Sequence, residues 1–377
     1  MEYEEGFPRF SISDDIYKVW VKDHQPYIAT FELTPCCNFR CIHCYLGVHR
    51  EEKQALSYDQ VTHILDELKE AGVLQIALTG GECMMRKDFA DIYLYAKRSG
   101  FLVTVFSNLS LLTDEILKCF SEYPPFSVEV SLYGASEETY ESITGKRAFQ
   151  QVLNNLQKLK EKDIHFSLKT PLILQNSKDE AALEKIAESF GKKLRIGFAM
   201  SPTIDCELYP TSFALDLETR FRHELSNAVN QEIGLNEADI ENPWGEQLDS
   251  GAFAPQFICN PGVNDVFVDY MGNVLPCVAY RSKGKSLLSS RFYDIWESFR
   301  YFKSIPALPG NKCVRCDSRY FCSICVGEQD ELYHDMCRIP HDVCIYAQAR
   351  KKLYKDKEDP DAILTFIREN ELKNGIE

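Results

Sequence analysis

Short apolar runs alternate with amphipathic helical patterns over residues 29–200. This alternation is typical of βα units, whose strands are parallel and are joined by right-handed crossovers. Six units fall short of the eight strands and ~250 residues of a closed barrel. The sequence therefore predicts an α/β fold built on a partial (β/α)6 barrel that is open on one side. The predicted strands are 29–33, 74–79, 101–106, 126–132, 164–174 and 194–199.

The segment between the first two strands carries the clearest helix signals. Ser57 followed by Gln60 is a capping-box pattern, and Gly72 is a typical residue just beyond a helix end. The apolar positions between them recur on one helical face, and they are Val61, Ile64, Leu65 and Leu68. Further helices are predicted over 88–98, 114–122, 137–143, 149–160 and 179–189.

Charge and hydropathy exclude two classes of protein. The 377 residues include 42 Lys and Arg against 57 Asp and Glu, a formal net charge of −15, which disfavours binding to a nucleic-acid backbone. No apolar run approaches the ~20 residues of a membrane span. The acidic N-terminus lacks the basic and apolar regions of a secretory signal. We expect a cytoplasmic protein that binds neither nucleic acid nor membrane.

Changes in hydrophobic pattern and cysteine content along the sequence divide the chain into five expected parts. They are an N-terminal extension (1–28), the partial barrel (29–200), a bridging segment (201–256), a cysteine-rich domain (257–348) and a C-terminal helical tail (349–377). The cysteine-rich domain has weak hydrophobic periodicity, so bound metal is expected to order it.

The 15 cysteines are concentrated in two clusters, within residues 36–44 and 259–344. Because cytosolic proteins rarely hold disulfides, these thiols are expected to bind metal. In the first cluster, Cys37, Cys41 and Cys44 have the spacing Cys-x3-Cys-x2-Cys. A structural zinc site or a fully ligated iron–sulfur cube needs four ligands, so three thiolates leave one metal position open. The alternative is a structural zinc site that takes His43 or Cys36 as its fourth ligand.

This spacing at the end of the first strand, followed by Tyr45, resembles the motif of the radical S-adenosylmethionine (SAM) superfamily. The resemblance implies that Cys37, Cys41 and Cys44 hold a [4Fe-4S] cluster whose fourth iron chelates SAM. It further implies that the reduced cluster cleaves SAM and that the resulting 5′-deoxyadenosyl radical abstracts hydrogen from an unactivated C–H bond.

Supporting motifs follow the next three strands. Gly80-Gly81-Glu82 resembles the family motif that holds the SAM amino group, although Cys83 replaces the usual proline. Ser107-Asn108-Leu109 resembles the family's Thr-Asn-Gly, and Ser131-Leu-Tyr-Gly resembles its Ser-Leu-Asp-Gly. Side chains at these strand ends face the crevice where ligands bind, although each motif alone also suits a polar turn or helix cap. The expected SAM contacts are Tyr45, Gly80, Gly81, Glu82, Asn108 and Ser131.

The second cysteine cluster contains two Cys-x2-Cys pairs, which by themselves favour a zinc ribbon. Residues 266–277 read as a hairpin that delivers Cys277, and this context resembles the SPASM domain of radical SAM maturases, which binds two auxiliary [4Fe-4S] clusters. The resemblance assigns Cys259, Cys277 and Cys325 to auxiliary cluster I, with Cys337 either its fourth ligand or a spare thiol. It assigns Cys313, Cys316, Cys322 and Cys344 to auxiliary cluster II.

The resemblance implies an enzyme that modifies a side chain of a ribosomally made precursor peptide, for example by forming a thioether or carbon–carbon crosslink. Formylglycine formation of the anaerobic sulfatase-maturase type and tetrapyrrole side-chain chemistry are alternatives within the same superfamily. A non-catalytic zinc or electron-carrier protein is the alternative from another class.

The expected partners follow from the same resemblance. A ferredoxin or flavodoxin would donate the electron. Only 36 residues precede Cys37, too few for a leader-binding domain of ~80 residues, so a separate small protein or the enzyme's own surface is expected to recognise the leader. No general acid or base is assigned from the sequence.

Overall fold

The computed structural model describes residues 24–47, 56–230 and 261–372. The strands are β1 (Ile28–Glu32), β2 (Gln75–Thr79), β3 (Leu102–Ser107), β4 (Ser127–Ser131), β5 (Phe166–Pro171), β6 (Leu194–Gly197), β7 (Asp265–Val268), β8 (Asn273–Leu275) and β9 (Lys285–Ser286).

The α-helices are α1 (Tyr58–Glu70), α2 (Phe89–Arg98), α3 (Asp114–Glu122), α4 (Glu137–Thr144), α5 (Phe149–Glu161), α6 (Glu180–Ser189), α7 (Leu217–Asn230), α8 (Phe292–Ser304), α9 (Val326–Tyr333), α10 (His341–Tyr354) and α11 (Pro360–Leu372). The helices of the barrel region lie where the sequence predicts them. Among the described residues, no helix combines the length and apolar character needed to cross a bilayer.

One sheet runs through the described residues in the order β6-β5-β4-β3-β2-β1-β7-β8-β9. Strands β1 to β6 pair in chain order and in parallel, which confirms the predicted α/β architecture. In this order β6 ends the sheet and does not pair with β1, so the six-stranded unit is open. The open side of β1 pairs in parallel with β7 instead, and β7, β8 and β9 continue antiparallel.

The core between the sheet and its helices follows the predicted patterns. In α1 the capping box is present, since the Gln60 backbone N–H donates to Ser57 Oγ at 3.3 Å and the Ser57 N–H donates to Gln60 Oε1 at 2.9 Å. All four predicted apolar positions of α1 are fully buried. Strand β5 is shorter at both ends than the predicted 164–174, and one further backbone bond, from the Leu172 N–H to Gly197 O at 2.9 Å, follows it.

A smaller hydrophobic core joins three helices that are far apart in sequence. Helix α7 of the predicted bridging segment packs on α10 and α11 through buried side chains from all three: Leu217, Phe221, Ile345, Ala349, Ile363, Leu364 and Ile367. Helix α10 begins at His341, after Pro340 in extended conformation. This three-helix unit therefore carries Cys344 on its central helix.

Candidate active site

The cysteine loop, residues 34–47, leaves the end of β1 and is fixed from two sides. The loop after β2 donates two backbone bonds, from Gly81 N–H to Thr34 O and from Glu82 N–H to Cys36 O, both at 2.8 Å. On the other side, the Arg40 N–H donates to the carbonyl oxygen of Thr144, at the end of α4, at 2.7 Å. The positions of its thiols are thus set by backbone contacts with two other segments.

The thiols of Cys37, Cys41 and Cys44 lie near one another. Burial raises the pKa of Cys37 to about 12, and the neighbouring Cys44 adds to this effect. Burial also raises the pKa of Cys41, with Cys44 and Cys37 contributing further. The three residues line both a large cavity and a smaller recess of about 30 Å³. A cation bound here would favour the thiolates that burial alone disfavours.

This donor set fits an iron–sulfur cluster better than zinc. Throughout the described residues, no three His, Cys, Asp or Glu side chains converge closely enough to hold a single metal ion. The three thiols nonetheless interact electrostatically across a shared space, and they form no disulfide. A polynuclear cluster spans a wider gap than one ion and takes thiolate ligands. His43 stays neutral, since burial lowers its pKa to about 4.

Gly80 and Gly81 allow two loops to approach each other. A Cβ on Gly80, which has φ of +132°, would lie 2.3 Å from Thr34 O, and a Cβ on Gly81 would lie 2.3 Å from Cys36 O. Both glycines also line the large cavity. The expected close approach is therefore found, but it is made to the backbone of the cysteine loop as well as to the ligand space.

Glu82 has a different environment from the one expected of an ammonium-binding carboxylate. It is 1% exposed and is not among the residues that line the large cavity. Its Oε2 accepts from the Asn108 N–H at 2.7 Å, and its Oε1 accepts from the Ser107 hydroxyl at 2.9 Å and the Met84 N–H at 3.1 Å. The carboxylate thus joins the loop after β2 to the end of β3.

Asn108 is likewise occupied by protein partners. Its amide nitrogen donates to Asn38 Oδ1 at 3.0 Å and to Cys37 Sγ at 3.8 Å, and its oxygen accepts from the Ser110 N–H and hydroxyl at 2.9 and 2.7 Å. Asn108 and Ser131 both line the cavity. The Ser131 side chain also hydrogen-bonds with Tyr133, a residue two positions on.

Tyr45 belongs to a buried polar group that the sequence did not reveal. Its hydroxyl donates to Glu32 Oε1 at 2.9 Å. Glu32 is fully buried and forms a two-bond salt bridge with Arg281, at 2.8 and 2.9 Å. Glu32 lies at the end of β1, whereas Arg281 follows the β7–β8 hairpin. Only the fold brings them together, because 249 residues separate them in the chain.

The large cavity has a volume of about 1020 Å³ and is lined by the barrel strands, the cysteine loop and the C-terminal region. This volume lies at the upper limit of ~300–1,000 Å³ typical of small-molecule sites, which suggests room for more than one ligand. Asp265 and Lys169 both line the cavity, and burial raises the pKa of Asp265 and lowers that of Lys169.

Lys169, at β5, supplies an ammonium group to this cavity. Its Nζ lies 3.8 Å from the centroid of the Phe106 ring, and no carboxylate among the described residues pairs with it. Burial lowers its pKa to about 8. Glu328 and Glu331 also line the cavity. Sequence reasoning missed Lys169, which lies on β5, four strands from β1 in the sheet.

The C-terminal cysteines form two groups. Burial raises the pKa of Cys325 to about 11, and Cys277 is its nearest contributing thiol. Cys259, the third thiol predicted for this group, lies outside the described residues. Cys277 follows β8 rather than the hairpin turn, and it lines the large cavity.

The second group contains the four thiols predicted for it. Burial raises the pKa of Cys344 to about 11, and its contributing thiols are Cys322, Cys313 and Cys316. Cys337 also adds to the raised pKa of Cys313. Its assignment as fourth ligand of the first group or as a spare thiol stays a prediction.

Comparisons with known proteins agree with this geometry. Residues 31–188 match the family model of the radical SAM superfamily. An AdoMet-dependent heme synthase of Methanosarcina barkeri (strain Fusaro / DSM 804) is 25% identical over 344 residues, which are 86% of this chain and 98% of the relative. The sporulation killing factor maturation protein SkfB of Bacillus subtilis (strain 168) is 27% identical over 301 residues, 77% of this chain and 69% of the relative.

A solved structure shares the fold. Streptococcus suis SuiB bound to its precursor peptide SuiA superposes with a TM-score of 0.63 at 14% identity, and the match covers 90% of this chain and 83% of SuiB.

Proposed function

Because residues 31–188 are a radical SAM domain of an enzyme whose relatives include peptide maturases, we propose that this chain modifies a side chain of a ribosomally made peptide. Thioether or carbon–carbon crosslinking is the proposed reaction. The observation that carries this proposal is the placement of the Cys37, Cys41 and Cys44 thiols on the wall of a cavity of about 1020 Å³.

Each part of the cavity wall would have its own role in binding. Cys37, Cys41 and Cys44 would hold the [4Fe-4S] cluster, and Lys169 would bind the SAM carboxylate through its ammonium group. When bound, the cluster and SAM supply one electron and a 5′-deoxyadenosyl group that takes a hydrogen atom from the substrate and leaves as 5′-deoxyadenosine. The remaining volume toward Glu328 would hold the substrate side chain and exclude water.

The C-terminal thiols extend this assignment. Cys277, Cys325 and Cys259 would hold auxiliary cluster I, and Cys313, Cys316, Cys322 and Cys344 would hold auxiliary cluster II. With Cys337 as a spare thiol, cluster I would keep an open iron, which would bind a substrate thiolate. A ferredoxin or flavodoxin would reduce the enzyme, and a separate leader-binding protein would deliver the precursor peptide.

Anaerobic reconstitution tests the cofactor assignment. We expect roughly twelve irons per chain and dithionite-dependent formation of 5′-deoxyadenosine from SAM. Replacing Cys37, Cys41 and Cys44 by Ala should abolish this cleavage. The matched control is Cys119→Ala, a half-buried thiol of α3 away from both groups. Bound zinc without SAM cleavage would instead identify the non-catalytic alternative.

The substrate class needs a second assay. The reconstituted enzyme is incubated with cysteine-containing peptides encoded next to its gene, and the products are analysed by tandem mass spectrometry. A mass loss of two hydrogens located to a crosslink supports the proposal. An aldehyde formed from one Cys or Ser would identify formylglycine chemistry, and no change in any peptide would contradict a peptide substrate.

Tetrapyrrole side-chain chemistry is the second candidate. It is favoured by the match to 98% of an AdoMet-dependent heme synthase, and the cavity also has the volume for a planar ligand with carboxylate side chains. A shift in the visible spectrum on adding an iron tetrapyrrole, followed by SAM-dependent loss of its side-chain mass, would favour this candidate over a peptide.

A further inference from the structure

The large cavity extends along the barrel strands, from the cysteine loop toward the opposite ends of the strands. Lys169 lines it and pairs in register with Ser131, the last residue of β4. Asp265 also lines it, but Asp265 pairs with Ile28, the first residue of β1. The rise of a strand places Ile28 roughly 13 Å before Glu32, at the end of β1 from which the cysteine loop departs. Asp265 therefore lies at the end of the cavity away from the cysteine loop.

Two polar side chains at this end of the cavity have no partner among the described residues. The Asp265 carboxylate forms neither a hydrogen bond nor an ion pair with them, and burial raises its pKa. The neighbouring Asn264 is 4% exposed and lines the cavity. Its backbone oxygen accepts from the Tyr27 N–H at 3.1 Å, whereas its side chain is unbonded within the same part of the chain. Because buried polar groups are normally hydrogen-bonded, this end of the cavity is suited to a polar ligand.

The charges on the cavity wall indicate the sign of that ligand. Lys169 and Arg281 are the Lys and Arg side chains that line the cavity in the described part of the protein. Arg281 is already paired with Glu32 through two bonds, and Lys169 is assigned above to the SAM carboxylate. Two further carboxylates of α9 line the same cavity, and they are Glu328 and Glu331. The carboxylate of Asp265 thus remains without a cation, and a positively charged group would complement it.

We propose that Asp265 is a specificity-determining residue whose carboxylate pairs with an ammonium or guanidinium group of the peptide substrate. The inference rests on the proposed function and deepens it, since the peptide would carry a basic side chain close to the side chain that is modified. The Asn264 amide oxygen would accept a further hydrogen bond from the same cation. A ligand with carboxylate side chains, such as a tetrapyrrole, would instead be repelled.

Equilibrium dialysis of capped pentapeptides tests the charge directly. Acetyl-Gly-Gly-Lys-Gly-Gly-amide and its norleucine counterpart, which lacks the ammonium group, are dialysed anaerobically against reconstituted, SAM-loaded enzyme without reductant. We expect the wild type to bind the lysine peptide about tenfold more tightly, the effect of one charge-assisted bond, and Asp265→Asn to bind both peptides equally. The control is Asp114→Asn, whose side chain is 97% exposed on α3, and it should keep the wild-type preference.

Equal binding of both peptides by the wild type, or an unchanged preference in Asp265→Asn, would overturn the inference. A double-mutant cycle adds a kinetic test with a peptide that the enzyme modifies. Replacing its Lys and Arg residues one at a time by Gln should identify one position that lowers kcat/KM about tenfold in the wild type and has no further effect in Asp265→Asn. No coupling at any basic position would contradict the role of Asp265. If the enzyme modifies no peptide, the proposed function fails, while the dialysis result still decides the charge preference of Asp265.

Discussion

At the scale of single residues, the polar groups of the site differ in whether they bond with other protein groups or face the cavity. The polar side chains of the motifs after β2 and β3 form most of their hydrogen bonds with other protein groups. Glu82 accepts from three backbone and hydroxyl donors. Asn108 bonds with Asn38, Ser110 and Cys37. They organise the loops around the ligand space. Lys169 differs because it lines the cavity with its ammonium group over the Phe106 ring and, within the described part of the chain, without a carboxylate in a salt bridge.

Lys169 leads to a pH-dependent prediction. Burial lowers its pKa to about 8, so raising the pH from 7 to 9 removes the proton and the charge that attracts a carboxylate. SAM affinity of the wild type should fall over this interval. Lys169→Met should bind SAM about tenfold more weakly at pH 7, the effect of losing one charge-assisted hydrogen bond, and should show a flatter pH dependence.

Anaerobic equilibrium dialysis of SAM at both pH values measures this effect. The titratable groups of SAM contribute equally to both proteins, so the difference between them reports on Lys169. The control is Lys146→Met, an exposed lysine that should leave both values unchanged. The same pH dependence in Lys169→Met and the wild type would contradict the assignment.

At the scale of elements, the orientation of α10 depends on contacts with α7, a helix that is far from it in the sequence. Glu224 of α7 accepts from Tyr346 and Tyr354 hydroxyls at 2.7 and 2.8 Å and from Arg350 Nε at 2.8 Å. All three donors lie on α10, the helix that carries Cys344. The carboxylate therefore fixes the orientation of the helix that supplies the last thiol of the second group.

Glu224→Gln should loosen α10. The amide is a weaker acceptor and turns one of its ends into a donor, so at least one part-buried hydroxyl loses its partner at a cost of ~1–3 kcal/mol. Hydrogen-exchange mass spectrometry should show a lower free energy of opening for α10 peptides. In contrast, Glu218→Gln removes a pair with the exposed Arg368 and should have a smaller effect. Unchanged α10 protection in Glu224→Gln would contradict the proposed orientation.

At the scale of the whole molecule, the C-terminal region extends the sheet of the barrel strands. The β7–β8 hairpin pairs with the free edge of β1, and the Glu32–Arg281 salt bridge joins the same strand to the segment after the hairpin. This arrangement places Cys277 and Glu328 on the wall of a cavity that the barrel strands begin.

Arg281→Met tests this connection. It leaves the carboxylate of Glu32 fully buried without its cation, which should lower the free energy of unfolding by ~3–5 kcal/mol. The double variant Glu32→Gln/Arg281→Met removes the buried charge and keeps an acceptor for Tyr45, so it should be more stable than Arg281→Met. Urea unfolding of the apoprotein measures both. Equal stability of the single and double variants would show that an unpaired Glu32 is not the cause.

The strands, the helices of the barrel region and the α1 capping box were predictable from sequence because hydrophobic periodicity and cap residues act over one to four positions. The cysteine loop was predictable as a metal-binding segment because its ligands are close in sequence. Contacts such as the one between Glu82 and Asn108 were not predictable. A motif specifies which residue types occur, but it does not specify which groups they will bond with.

The sequence by itself therefore determined the α/β architecture and the thiols that face the ligand space. Only the tertiary structure decided that β1 pairs with β7, that Glu32 meets Arg281 and that Lys169 enters the cavity uncompensated. The physical reason is that charge pairing and burial depend on distances in space between segments up to 249 residues apart. A local sequence pattern does not indicate which charged side chains will be buried or which partners they will have.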